Sequence, residues 1–245
     1  MGHEEYIRLC PGADKAVLMI HGIVGSPRHF DRFLDAVPEG WSIYNILLDG
    51  HGGSVSDFAH TSMAKWKQQV ENQLQFLCRE YSTVVLLAHS MGTLLSIDAA
   101  SRHPQVKAMI LLNVPLIPRL TPFMAVRSVK LALGKADEND VLEQATLAVA
   151  GVTLDKRLWR YVGWTPRFLE LFKLCRQIRC RVPDIGIPTY VFQSREDELV
   201  SPTSDLYFTN HPQIQYALLE NSCHFYYSRK DMETIRDCIR SVLDK

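Results

Sequence analysis

The ten residues Thr83 to Gly92, Thr-Val-Val-Leu-Leu-Ala-His-Ser-Met-Gly, restrict the folding of this chain more than any other stretch. Val84 to Ala88 form an unbroken apolar or β-branched run, which reads as a strand buried on both faces. That run enters His89-Ser90-Met91-Gly92 with no loop residues before the next helical pattern. A serine at so abrupt a strand-to-helix turn needs small residues two before and two after it, here Ala88 and Gly92. Its hydroxyl then stands above the sheet edge. The Met91 amide falls in the first turn of the following helix, where free N–H groups and the helix dipole favour developing negative charge. A small-x-Ser-x-Gly pentapeptide also arises by chance, so the rest of the chain must decide whether Ser90 is chemical or structural.

Around this turn the pattern alternates strand and helix. Lys15–His21 reads as a buried strand that opens into Gly22-Ile23-Val24-Gly25-Ser26-Pro27, where Ser26 is a cap candidate and Pro27 suits a first helical turn. Phe30, Phe33, Leu34 and Val37 follow at helical spacing. Ser42–Leu48 is the next strand and ends in Asp49-Gly50-His51-Gly52-Gly53-Ser54. That turn lacks the Lys-Ser/Thr ending of a P-loop and the spacing of a dinucleotide fingerprint, so a structural role is expected. Thr61 or Ser62 caps a helix whose inner face is Met63, Trp66, Val70, Leu74 and Leu77. The Ser90 strand and helix come next, then a strand over Val106–Val114.

Such alternation demands a doubly wound, mostly parallel α/β sheet with helices on both faces and ligands at the carboxyl ends of its strands. The Gly22–Gly25 loop and Ser90 both belong to that edge. At Pro115, Pro118 and Pro122 the rhythm breaks, and no further strand pattern occurs until Thr189. Between them lie helical patterns over Phe123–Leu133 and Val141–Ala150, an aromatic segment Trp159–Trp164, and an amphipathic helix Pro166–Arg179. The expected organisation is a core over residues 1–114 and 184–245, with 115–183 an inserted helical cap and return helix. Phe123–Leu133 carries Val126, Val129 and Leu133 on one face and Arg127 and Lys130 on another. Packing on the cap's own core is the expected use of that face, and a lipid interface is the alternative. The end of the chain reads as strand Thr189–Ser194, a helix from Pro202 to Asn210, strand Gln213–Leu219, and a last helix opened by a Ser228/Asp231 capping box.

Composition removes whole function classes. Lys+Arg and Asp+Glu balance at 27 each, and no basic run is present, so neither nucleic acid nor an anionic membrane is an expected partner. Apolar runs such as Ala16–Ile20 fall far short of the roughly 18 residues that span a bilayer, so stable membrane insertion is not expected. The N-terminal Met-Gly-His-Glu-Glu-Tyr has no cationic start or apolar region, which points to a cytoplasmic protein. The six cysteines include no C-x-x-C pair and read as reduced, mostly buried thiols rather than disulfides or a zinc site. Oligomeric state is not legible.

A serine hydroxyl is a poor nucleophile at neutral pH and needs a base in reach and an acid that orients the base. Among the nine histidines, His224 alone sits in a loop just past a late strand, at the sheet edge of Ser90. His89 is locked in the turn itself, on the far side of Ser90. Asp197, shortly after the Thr189–Ser194 strand, is the candidate acid in the order Ser, Asp, His, with Glu196 and Glu198 as solvated alternatives. The Met91 and Ile23 amides are the candidate oxyanion donors.

These residues together resemble the α/β-hydrolase-fold serine hydrolases, in their carboxylesterase and monoacylglycerol-lipase-like branch. The likeness rests on His21-Gly22, Asp49-Gly-His-Gly-Gly-Ser54, Ala88-His-Ser-Met-Gly92, Asp197-x-x-Val200 and the late His224. It implies a Ser90–His224–Asp197 triad, an oxyanion hole from Ile23 and Met91, a cap that shapes the acyl pocket, and no cofactor or metal. Ala88 departs from the first glycine of Gly-x-Ser-x-Gly, a change the geometry tolerates, and Cys223 beside the histidine has no functional account. The expected substrate is a small-molecule ester of short to medium acyl chain, with Trp159, Tyr161 and Trp164 candidates to line its pocket. Packing of the cap on the core explains those three rings equally well. The rivals are a lipase for monoacylglycerols or lysophospholipids, an acyltransferase or perhydrolase on the same triad, and a ligand-binding relative without activity.

Overall fold

The computed structural model describes residues 3–119 and 121–244, apart from the side chains of Phe123 and Pro202. Met1 and Gly2, part of the N-terminal stretch read for a leader, lie outside the described residues.

In chain order the first half comprises β1 (Tyr6–Arg8), β2 (Lys15–Ile20), a 3₁₀ segment Pro27–Ala36, β3 (Ser42–Ile46), α1 (Val55–Ala59) and α2 (Met63–Glu80). It continues with β4 (Thr83–His89), α3 (Met91–Ala100) and β5 (Val106–Leu112). Then follow α4 (Pro122–Ala132), α5 (Val141–Val149), a 3₁₀ segment Leu158–Trp164 and α6 (Thr165–Arg179). The chain ends with β6 (Thr189–Ser194), β7 (Ile214–Leu219) and α7 (Arg229–Leu243). The strands form one seven-stranded sheet in the order β1-β3-β2-β4-β5-β6-β7. All neighbours are parallel except β1, which pairs antiparallel with β3 at the edge. The first of these strands is too short and polar to show as a strand in the sequence.

Side chains alternate between two cores, one on each face of the sheet. Leu18, Ile20, Leu86 and Ala88 join Trp66, Leu74 and Leu94 on one face, beneath α2, α3 and α6. Met19, Ile43, Val85 and Leu87 join Phe30, Phe33, Ile235 and Ile239 on the other, beneath the first 3₁₀ segment and α7. The segment 27–36 winds as 3₁₀ and not as the expected α-helix. Its buried apolar residues Pro27, Phe30, Phe33 and Ala36 repeat every three positions, which a helix of three residues per turn places on one face.

Strand order explains where a site can form. From β2 the chain moves outward to β3, and from β4 it moves the opposite way to β5, so the connections diverge between β2 and β4. Connections that leave adjacent strand ends in opposite directions open a crevice at their carboxyl edge. The β2–β4 register sets Ile20 beside Ala88, so continuing it brings Gly22 beside Ser90.

The expected caps are met unequally. Ser26 makes no side-chain cap and instead donates its hydroxyl to the Val149 carbonyl at 3.0 Å. Thr61 donates to the Asp49 carboxylate, leaving Ser62 to cap α2. Ser228 accepts the Asp231 amide, but the Asp231 carboxylate turns away to Ser222 Oγ and the Asn221 amide, so the box is half formed. A full capping box occurs at Ser54 and Asp57, in the glycine-rich turn read as structural.

The elements between β5 and β6 are all helices or 3₁₀ segments among the described residues, and α4 turns Arg127 inward. Arg127 is 5% exposed and paired with Asp140 at 3.0 Å, and Lys130 pairs with Glu143 at 2.8 Å. Val126 and Val129 face out at 69% and 44% exposure, contrary to the expectation that the apolar stripe packs inward. The two ion pairs tie α4 to α5 and so decide which side faces the protein. Among the described residues no helix is long and apolar enough to cross a membrane.

Gly92 is where the two central strands and α3 approach most closely. A Cβ there would lie 2.0 Å from the Ile20 carbonyl oxygen, a backbone atom that cannot swing aside. Gly92→Ala is therefore expected to destabilise the fold by about 3 kcal/mol or more, at the upper end of overpacking costs. Urea unfolding followed by circular dichroism measures it, and a midpoint equal to wild type would refute the close approach.

Candidate active site

Ser90 joins β4 to α3 in a conformation that serine rarely adopts, φ 51° and ψ −123°. Such a backbone costs on the order of 1–3 kcal/mol and persists only where its surroundings over-determine it. Here the buried strand on one side and the closely packed α3 on the other fix both ends of the turn. Gly22 meets it from β2, and a Cβ on residue 22 would lie 2.9 Å from Ser90 Cβ and 3.4 Å from its Oγ. Only glycine brings the second loop this near the hydroxyl.

His224 follows β7 on an irregular loop, and its imidazole is buried. Nε2 lies 3.0 Å from Ser90 Oγ, and Nδ1 lies 2.8 Å from Asp197 Oδ2. A carboxylate only accepts, so Nδ1 carries the hydrogen and the Nε2 lone pair faces the serine hydroxyl. The other Asp197 oxygen accepts the Leu199 and Val200 amides, each at 2.8 Å, which holds the carboxylate in one orientation. The structure thus brings together Ser90, His224 and Asp197 from the ends of three different strands.

The backbone of His224 is held as firmly as its ring, by residues the sequence did not mark for this task. Its N–H donates to Glu198 Oε2 at 3.0 Å. Its carbonyl accepts from Asn113 Nδ2 and from His89 Nε2, each at 3.0 Å. Glu198 is therefore no solvated loop carboxylate. Asn113 follows β5 with φ 53°, a left-handed value that asparagine tolerates, and its Oδ1 accepts the Ser194 amide at 2.9 Å. It links the ends of β5 and β6 to the histidine loop. The available signal was a lone asparagine directly after a buried strand at the active edge. His89, beside Ser90, stacks on His29 with ring centroids 3.7 Å apart and turns to the His224 carbonyl, away from the serine.

Burial lowers the pKa of each of these histidines, and at one of them a carboxylate reverses the outcome. His21, His29 and His89 are held well below the ordinary imidazole value by desolvation, and His51 falls to about 4 for the same reason. Desolvation acts on His224 as well, yet the Asp197 carboxylate in contact, with Glu198 close by, overrides it and raises the pKa above 6.5. The base is more basic than free imidazole, and the histidines around it remain neutral.

Ile23 and Met91 belong to the segments that meet at Ser90. Met91 opens α3, where its amide has no intrahelical acceptor. Ile23 lies in a turn closed by Gly25 N–H donating to the Gly22 carbonyl at 3.0 Å. The three aromatic residues expected around an acyl pocket differ in their surroundings. Trp159 is 71% exposed. Trp164 is buried against Phe58 and donates its indole N–H to the Val55 carbonyl, and Tyr161 packs on Trp164 and accepts the Asp155 amide. Tyr161 and Trp164 seat the helical region on α1, and the rings against His224 are those of His89 and Phe225. Among the described residues no cluster of His, Cys, Asp and Glu is placed to hold a metal ion. All six cysteines are free, but only Cys175 and Cys223 are buried, with Cys10, Cys78 and Cys238 half-buried and Cys180 exposed.

Comparison with known proteins gives the same architecture. The family model Hydrolase_4, described as serine aminopeptidase, S33, matches residues 11–226. A thermostable monoacylglycerol lipase of Bacillus sp. (strain H-257) is 24% identical over 213 residues, covering 85% of this chain and 82% of that one. A carboxylesterase of Bacillus subtilis (strain 168) is 23% identical, covering 96% of this chain and 94% of that one. A solved structure of the metagenome-derived lipolytic enzymes LipS and LipT superposes with TM-score 0.74 at 20% identity, over 99% of this chain and 98% of that one. At that identity the likeness is one of fold.

A base with a raised pKa sets the sign of the pH dependence. Protonated His224 cannot accept the serine proton, so activity falls as pH drops through a midpoint above 6.5. Asp197→Asn is expected to move that midpoint down and to lower kcat by about 10⁴-fold, through loss of the correct tautomer. The pH profile of kcat/KM on a p-nitrophenyl ester checks both, and a wild-type midpoint below 6 would contradict the electrostatic account.

Proposed function

The chain belongs to the Hydrolase_4 family, serine aminopeptidase, S33, and on that premise we propose that it hydrolyses carboxylic esters of short to medium acyl chain through a Ser90 acyl-enzyme. The observation that carries this reading is the continuous chain of hydrogen bonds from Asp197 through His224 to Ser90. Ser90 Oγ attacks the ester carbonyl carbon as His224 Nε2 takes the hydroxyl proton. The Met91 and Ile23 amides receive the oxyanion of the tetrahedral intermediate, a contribution of about 2.7–4 kcal/mol for each donor in comparable sites. As the intermediate collapses, the C–O bond to the alcohol breaks and His224 returns the proton to the departing oxygen. Water, activated by the same imidazole, then attacks the acyl-enzyme and releases the acid and free Ser90. Asp197 holds the ring in place throughout. In this reading residues 115–183 act as a cap over the carboxyl edge.

One observation favours a narrower reading, hydrolysis of monoacylglycerols. Val126, Val129 and Val141 are exposed on α4 and α5, an apolar surface suited to aggregated lipid, and one relative carries that name. A p-nitrophenyl ester series from acetate to palmitate, followed by a monoacylglycerol assay, separates the two. The expected optimum lies at short to medium chains. An optimum at long chains together with monoacylglycerol turnover would replace the first reading with the second. Ser90→Ala is expected to lower kcat by at least about 10⁴-fold and to abolish labelling by a fluorophosphonate. Full turnover by that variant, or folded wild type that takes no label, would end the hydrolase reading and favour a ligand-binding role.

A further inference from the structure

His51 lies outside the set of residues assigned a chemical part, in a turn read from sequence as structural. Its ring is buried, edge-on to His21 at 4.7 Å and packed on Phe58 and Trp66. Nδ1 is 3.1 Å from the Leu48 carbonyl and 3.3 Å from the Asp49 carbonyl. Carbonyls only accept, so Nδ1 carries the hydrogen and Nε2 holds a lone pair. That lone pair faces the Val24 N–H at 3.1 Å.

Val24 is the third residue of the turn closed by Gly25 and Gly22, and its φ is +57°. A β-branched residue strongly disfavours that region, and a positive φ at this position marks a type II arrangement in which glycine is usual. Rotating the central peptide would relieve the strain and convert the turn to type I. It would also turn the Val24 N–H away from His51 and present a carbonyl to the imidazole lone pair. The next peptide is held too, because the Gly151 N–H donates to the Val24 carbonyl at 2.7 Å while the Gly151 carbonyl accepts the Gly52 N–H at 2.6 Å. A Cβ on residue 151 would lie 1.7 Å from the Gly25 carbonyl oxygen, so this stitch needs glycine. Residues 149–153 thereby join the Ile23 turn to the His51 turn, with Ser26 Oγ on the Val149 carbonyl and the Thr153 N–H on the Gly53 carbonyl.

We propose that His51 is a positioning residue for the oxyanion pocket: its Nε2 lone pair, with the Gly151 N–H, holds the Gly22–Gly25 turn in its strained conformer and so fixes the loop that carries the Ile23 amide next to Gly22, itself packed on Ser90. This rests on the ester-hydrolase reading given above. The function needs a neutral ring, since an imidazolium would set N–H against N–H, and burial of His51 keeps it neutral at ordinary pH.

Two substitutions divide the ring's hydrogen bonds between them. His51→Gln keeps an acceptor near the Nε2 position and loses the donor to Leu48. His51→Asn keeps a group near the Nδ1 position and loses the acceptor for Val24. Turnover per active site, counted by fluorophosphonate titration to completion, excludes loss through misfolding. The expected result for His51→Asn is a fall in kcat of about 10- to 100-fold with KM within about threefold, less than complete loss of an oxyanion donor. His51→Gln is expected to stay within about fivefold of wild type, as only the acceptor is needed. The reverse order, equal loss in both, or unchanged turnover per site in His51→Asn would overturn the proposal. If His51→Asn does not fold, a trans-hydrogen-bond N–N coupling between the Val24 amide and His51 Nε2 in the wild type decides, and its absence would refute the contact. Wild type that neither labels nor turns over an ester refutes the hydrolase reading instead, which separates the two failures.

Discussion

The contact between the ends of β2 and β4 governs the rest of this molecule. Gly22 lies against Ser90, and Gly92 lies against the Ile20 carbonyl, so two strands and a helix meet with no side chain between them. The approach forces Ser90 into a strained backbone, and the parallel pairing of buried β2 and β4 holds it there. Strain of about 1–3 kcal/mol is a sizeable part of a domain's net stability, so it can persist only where packing on both sheet faces leaves the turn no alternative. The sheet therefore sets the Ser90 hydroxyl at its carboxyl edge and brings the Gly22 loop beside it.

Two equally buried imidazoles end with opposite shifts because one has a carboxylate in contact. His51 and His224 are both enclosed, and without a carboxylate against it His51 is pushed down to about 4. His224 has Asp197 at 2.8 Å and rises instead. A contact charge outweighs desolvation at one ring, and nothing comparable opposes it at the others. The result is one imidazole raised above its ordinary value among neutral, hydrogen-bonded histidines that serve as fixed donors and acceptors. Those neutral rings tie the site to acid stability, because each one protonates more readily in the unfolded chain and weakens the fold as pH drops below about 6.5.

The helical region between β5 and β6 is joined to the site by backbone as well as side chains. Residues 149–153 reach both the Ile23 turn and the His51 turn, and Arg119 donates to the Asp197 carbonyl from just after β5. Its outer surface carries Val126, Val129 and Val141, and its charges pair internally. A helix with arginine inward and valines outward inverts the usual amphipathic reading. The ion pairs between α4 and α5 supply the reason, since buried charge is stable only beside its partner.

In this serine hydrolase of the α/β-hydrolase fold, the sequence by itself determined the doubly wound sheet, because apolar strand runs and helical spacing are local patterns. It also marked Ser90, because the turn needs Ala88 and Gly92 at fixed neighbouring positions. His224 and Asp197 were legible by their places just past late strands. The edge strand β1 is too short to show, and Phe30, Phe33, Leu34 and Val37 fit helical spacing without telling an α-helix from the 3₁₀ winding of Pro27–Ala36, because the two periods differ so little. Only the tertiary structure decided that Glu198, Asn113 and His89 suspend the His224 backbone, that His51 meets Val24, and that Trp164 is used in packing. Those contacts join residues far apart in the chain through single hydrogen bonds, and a single hydrogen bond leaves no periodicity in a sequence.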